Sequence, residues 1–115
     1  METRDKQKFI QDKACQNIQS PPGVYVLWSR HATHEMVADN LRRKQVEEAL
    51  RTCEIIEDYP VLHRPLPDCL VLGWLPTGEP IHMVVAVDVD RDRVFIVTVY
   101  RPNLKEWEND WRTRR

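Results

Sequence analysis

Three apolar runs follow one another closely: Cys69 to Leu75, Ile81 to Val89 and Arg93 to Tyr100. Only short turn sequences join them, Pro76-Thr77-Gly78-Glu79 and Asp90-Arg91-Asp92. A parallel crossover needs a dozen or more residues, so connections this short reverse the chain and imply an antiparallel meander. The last two runs are apolar on both faces, as expected of central strands covered by helices. Glu54-Ile55-Ile56-Glu57-Asp58-Tyr59 adds another strand, closed by Pro60, and residues 60–68, with three prolines, read as a loop.

Upstream the period changes. Val46, Ala49, Leu50 and Cys53 recur at i, i+3, i+4 and i+7, one buried helical stripe. Glu47, Glu48 and Arg51 then fall on the exposed side, with Glu47 and Arg51 as an i,i+4 pair. An earlier helix runs from an N-cap at Ser29 to about residue 39, with Ala32 and Met36 inward and Asn40 ending it in a left-handed conformation. Val24-Tyr25-Val26-Leu27-Trp28 before it reads as a short strand or a packed lead-in. Residues 1–23 form an appended N-terminal arm, flexible or helical through Ile10, Ala14 and Ile18, and Ser20-Pro21-Pro22-Gly23 ends it. At the other end, Asn103 as N-cap and Glu106 three residues on predict a short C-terminal helix with Leu104, Trp107 and Trp111 inward. The expected fold is α+β: two N-terminal helices packed on a roughly four-stranded antiparallel sheet, then a short C-terminal helix, all within a domain over 24–115.

The totals exclude several function classes. A chain of 115 residues, 42% hydrophobic and 30% charged, fits one globular domain. No apolar run approaches the roughly 20 residues of a membrane helix, and the first residues lack a secretory h-region, so the expected location is the cytoplasm. Cys15, Cys53 and Cys69 are an odd set without a C-x-x-C pair, which argues against a disulfide framework or a cysteine-rich zinc site. A net charge of −1 leaves no global basic excess for nucleic acid, so any RNA contact has to use a local patch.

His34-Glu35-Met36-Val37-Ala38 starts like H-E-x-x-H but ends in alanine, which cannot bind zinc. His31 and His34, one turn apart, lack a third ligand, and no metal or other cofactor is expected. His82 lies on the strand face shared with Val84, Ala86 and Asp88. It is either a buried, hydrogen-bonded histidine or a proton carrier titrating near neutrality. Tyr100-Arg101-Pro102 ends the last strand, where a hydroxyl and a guanidinium can position phosphate, or equally serve as core and edge. Trp107 and Trp111 are expected as packing anchors, and Arg42-Arg43-Lys44 and Arg112-Thr113-Arg114-Arg115 as solvated basic clusters.

A series of stretches taken in order carries a family resemblance: His31-Ala32 with Met36, Val46-Glu47-Glu48-Ala49-Leu50, Ile55-Ile56-Glu57-Asp58-Tyr59-Pro60, Cys69-Leu70-Val71-Leu72-Gly73, Pro80-Ile81-His82-Met83-Val84-Val85-Ala86, and Ile96-Val97-Thr98-Val99-Tyr100 with Pro102 and Trp107. The series resembles the domain-of-unknown-function (DUF) 4258 family, over roughly residues 28 to 113. The resemblance implies a RelE-like fold, toxin-type metal-independent RNA cleavage, and a zinc-ribbon antitoxin resembling MqsA as partner. His31, His82 and Tyr100 are then the candidate catalytic residues, and Arg101 the candidate substrate-binding residue. The family pattern commonly carries an arginine three residues after the His-Ala pair and a second four later, before a glycine. Here Glu35, Asp39 and Asn40 stand there, and carboxylates at a phosphate site repel substrate. A non-catalytic interaction or regulatory domain, a decayed toxin, is the alternative.

Overall fold

The computed structural model describes residues 1–59 and 66–115. Its elements are α1 (Thr3–Ile18), β1 (Val26–Trp28), α2 (Arg30–Ala38), α3 (Arg43–Ala49), a 3-10 turn (Leu50–Thr52), β2 (Glu54–Asp58), β3 (Asp68–Trp74), β4 (Pro80–Asp88) and β5 (Arg93–Tyr100). The loop expected over 60–68 lies mostly outside the described residues.

The meander forms as its short turns require: β2, β3, β4 and β5 are successive antiparallel neighbours. The sheet is five-stranded and mixed, not four-stranded and antiparallel, in the order β1-β5-β4-β3-β2. The lead-in pairs as β1, parallel to β5 through Val26↔Val94 and Trp28↔Ile96. No local spacing encodes that partner, which is 68 residues away in the chain.

Strand alternation splits the sheet into two faces. Ile81, Met83, Val85 and Val87 of β4 join Cys69, Val71, Val94, Ile96 and Val99 in the main core. The helices cover this face with Ile10 and Ala14 of α1, Ala32 of α2, and Val46, Ala49 and Leu50 around α3. Gly73 leaves room there for α3, since a Cβ on it would lie 3.1 Å from the Ala49 Cβ and 3.2 Å from its carbonyl oxygen.

Local signals place α2 well. The Ser29 hydroxyl accepts from the Ala32 N–H at 2.9 Å and donates to the Val97 carbonyl at 2.9 Å, capping the helix and tying it to β5. Asn40 leaves the helix at φ 55°, in the left-handed region. Residues 3–18 of the arm are a full helix docked on the core. Lys6 and Lys13 are buried along it, Lys6 paired with Asp58 of β2 and Lys13 with Asp92 of the β4–β5 turn. Gln7 accepts from the Ile55 N–H and Gln11 donates to the Cys53 carbonyl, so α1 also satisfies backbone groups of the edge strand β2 and of the residue before it.

Two further expectations need correction. Glu47 is buried, not exposed, because its carboxylate accepts from Asn17 Nδ2 at 3.0 Å and Trp28 Nε1 at 2.7 Å. The C-terminal helix does not form. Asn103 caps its start, with Oδ1 accepting from the Lys105 and Glu106 N–H groups. Asp110 then captures the Arg112 and Thr113 N–H groups, Trp111 turns at φ 62°, and the chain folds back so that Trp107 bridges Arg114. Aspartate competes locally for backbone donors in this way and favours turns over helix. The result is a strap over residues 102–115 on the sheet face away from the helices, with Trp107 buried and Leu104 left exposed.

Candidate functional site

The register lines up one residue from each of four strands. Glu54 faces Leu72, Leu72 faces His82, and His82 faces Tyr100, a single cross-strand row on the face opposite the helices. The strap crosses this row. Trp107 stands edge-on over the His82 ring, with centroids 4.4 Å apart at 87°, and His82 is 0% exposed.

The hydrogen bonds determine the proton positions on His82. Nε2 lies 2.8 Å from the Trp111 carbonyl oxygen, which only accepts, so Nε2 carries the hydrogen. In the neutral ring Nδ1 is then the acceptor, and the Tyr100 hydroxyl, 3.0 Å away, donates to it. Burial lowers the His82 pKa against smaller opposing effects of the Trp111 carbonyl and Glu57, and the Arg114 charge adds the least, in the same direction as burial. Burial also raises the Tyr100 pKa. The array runs from carbonyl to imidazole to phenol: an orienting group, a base and a hydroxyl.

Beside it, Arg114 makes a two-pronged contact with Glu57, Nε to Oε2 at 2.6 Å and Nη2 to Oε1 at 3.0 Å. Tyr59 donates to the same carboxylate at 2.8 Å. The Arg114 bond holds Glu57 below its ordinary range, and its own pKa is raised in return. Burial and then Glu57 push Tyr59 up to about 12. Arg112 reaches Glu54, at the end of the row, at 2.9 and 3.0 Å. Perturbed groups packed together make this face the candidate site.

Of the residues expected from sequence, the structure joins His82 to Tyr100. His31 sits exposed on α2, 3.3 Å from Glu35, and no contact among the described residues links it to His82 or Tyr100. Arg101 is engaged already, Nε to the Asp39 carbonyl at 3.3 Å and Nη1 to Glu79 at 2.7 Å. Glu35 accepts from the Val99 N–H at 3.0 Å, beyond the end of β1, on the side of β5 that faces away from β4. Among the described residues no group of three or more His, Cys, Asp or Glu is placed to hold a metal, and no helix is long and apolar enough to cross a membrane. Cys53 and Cys69 are buried, which pushes both thiols up to about 12, whereas Cys15 is exposed.

Glu54, Glu57, Tyr59, Arg112 and Arg114 were not singled out in the sequence as site residues. Their contacts span 57 and 58 positions between β2 and the strap, so no local spacing encodes them. The one usable signal is the Arg-Thr-Arg alternation, which puts two guanidiniums on one side of an extended segment.

The family model described as Domain of unknown function (DUF4258) matches residues 28–101. The match takes in the β2–β5 meander, His82 and Tyr100, and leaves out α1 and the strap. Neither the curated proteins nor the solved structures give a match. With well over half of its length in the matched stretch, the chain belongs to the DUF4258 family.

Proposed function

We propose that this protein is a metal-independent endoribonuclease of the toxin–antitoxin type, RelE-like in fold, with a zinc-ribbon antitoxin as its partner. The observation that carries the reading is the Trp111 carbonyl–His82–Tyr100 array. In the reaction the RNA 2′-hydroxyl attacks the adjacent phosphorus, forming the O2′–P bond and breaking the P–O5′ bond. The products are a 2′,3′-cyclic phosphate and a 5′-hydroxyl.

His82 is fully buried, so Tyr100 is the group that meets substrate and His82 acts through it. Neutral at pH 7, His82 holds the Tyr100 hydrogen on Nδ1, leaving the phenol oxygen's lone pairs free. As Tyr100 takes the 2′-hydroxyl proton, its own passes to Nδ1, and the Trp111 carbonyl steadies the resulting imidazolium through Nε2. The departing O5′ takes its proton from water, and the hydroxide so formed recovers a proton from Tyr100 as Nδ1 returns the other to the phenol, restoring neutral His82.

A second reading is the non-catalytic interaction domain. It is favoured by the complete burial of His82 and by the carboxylate partners of Arg101, Arg112 and Arg114. RNA cleavage in EDTA by the purified, partner-free protein separates the two. The nuclease reading expects Tyr100→Phe and His82→Ala each to lower the rate by roughly 100-fold or more, the scale of general acid–base catalysis. A folded wild type that leaves RNA intact leaves the interaction domain standing.

A further inference from the structure

The two arginines of the strap that reach β2 hold carboxylates the way arginine holds phosphate. Arg114 makes parallel Nε and Nη2 bonds to the two Glu57 oxygens, and Arg112 places Nε between both Glu54 oxygens. The planar guanidinium fork suits either anion. Both pairs face solvent, with the Arg112 and Arg114 side chains 43% and 55% exposed. Both guanidiniums are open to water, and a phosphodiester offers the same fork two oxygens in exchange for those of the carboxylate.

The position of these guanidiniums makes the exchange relevant to the site. Arg114 lies 4.6 Å over the Trp107 ring, which also stands against the His82 ring, and its charge is felt at both His82 and Tyr100. Arg112 follows Trp111, the residue whose carbonyl orients His82. The Trp107 indole N–H is buried and has no acceptor among the described residues, one further donor near the row.

We propose that Arg112 and Arg114 are phosphodiester-binding residues for single-stranded RNA, and that Glu54 and Glu57 occupy them in its absence. The inference rests on the endoribonuclease reading. The exchange needs only side-chain rotation. The strap backbone stays on the sheet, the Trp111 carbonyl keeps its bond to His82, and the freed carboxylates turn to water, with Glu57 keeping the Tyr59 hydroxyl. The site is thereby self-screened, which reconciles RNA binding with a net charge of −1. RNA has to displace the internal anions, so weakening those anions strengthens RNA binding.

The test is binding of fluorescein-labelled oligouridylate, roughly 12 nucleotides long, read by anisotropy across a salt series. Tyr100→Phe serves as the background so that no RNA is cut during the titration. Each of Arg112→Ala and Arg114→Ala is expected to lower affinity and to flatten the salt slope by roughly 0.7, one phosphate's worth for a single strand. Arg→Lys at either site should keep the slope while losing part of the affinity, and Glu54→Gln and Glu57→Gln should each raise affinity. Slopes unchanged by the arginine variants, or affinities unchanged by the glutamine variants, overturn the proposal. So does an acidic polypeptide that binds as well as RNA and depends on the same arginines, which would make this face a protein-docking surface. Cleavage is read separately on the Tyr100-containing protein, so failure of catalysis and failure of this binding site are distinct results.

Discussion

Glu35 stands where the family resemblance leads to an expectation of arginine, and the structure gives its carboxylate a role in backbone chemistry. Its Oε1 accepts from the Val99 N–H at 3.0 Å, at a buried residue of β5 beyond the reach of β1. Arginine carries five donors and no acceptor, so Glu35→Arg leaves that N–H without a partner. A hydrogen bond to a charged group contributes about 1.5–3 kcal/mol, and an orphaned buried donor costs about 1–3 kcal/mol. The Glu35 side chain is 25% exposed, which lets water take up part of the loss. The expected destabilisation is therefore about 2 kcal/mol. The Glu35–His31 pair adds little, because His31 is 70% exposed. Glu35→Gln keeps an acceptor at Oε1 and should cost only about 0.5–1 kcal/mol. For a chain of this length about 4 °C accompanies each kcal/mol, so thermal melts followed by circular dichroism should show losses of about 8 °C for arginine and about 3 °C for glutamine. Equal melting temperatures for the two variants, or a larger loss for glutamine, would refute the backbone explanation.

Three further outcomes test other parts of the molecule. Ile10→Ala removes a fully buried side chain of α1 and should cost about 2–5 kcal/mol in urea unfolding; a neutral result would mean that α1 is not part of the cooperative fold. Gly73→Ala puts a methyl 2.9 Å from the movable Met83 Cε and 3.2 Å from the fixed Ala49 carbonyl oxygen, with an expected loss of about 1–3 kcal/mol; unchanged stability would show that α3 can shift. Burial lowers the His82 pKa, so below its ordinary value of roughly 6.5 the unfolded chain binds a proton that the folded chain refuses. Stability should fall as pH drops beneath that value and be fully present above it, so the advantage of the wild type over His82→Gln should be largest and flat near pH 8 and shrink on acidification. A urea midpoint that rises on acidification through this interval contradicts the buried, neutral assignment.

The sequence by itself determined the local parts of this protein. Short turns forced β3, β4 and β5 into a meander, the Val46–Ala49–Leu50–Cys53 stripe went wholly inside, and Ser29 and Asn40 bounded α2 as their side chains dictate. Alternation also put His82 on one strand face and Tyr100 at the end of the next strand. Tertiary structure decided whatever depends on distant partners. It paired β1 in parallel with β5, docked α1 through buried lysines matched to Asp58 and Asp92, and buried Glu47 once Asn17 and Trp28 could satisfy its carboxylate. It also bent the C-terminus into a strap instead of a helix. Only that fold-back brings the Trp111 carbonyl to His82, Arg112 to Glu54 and Arg114 to Glu57. Periodicity reports which side of an element is apolar. Which polar groups meet across more than fifty residues is settled by packing, since a buried donor or acceptor is tolerated only where the fold delivers its partner.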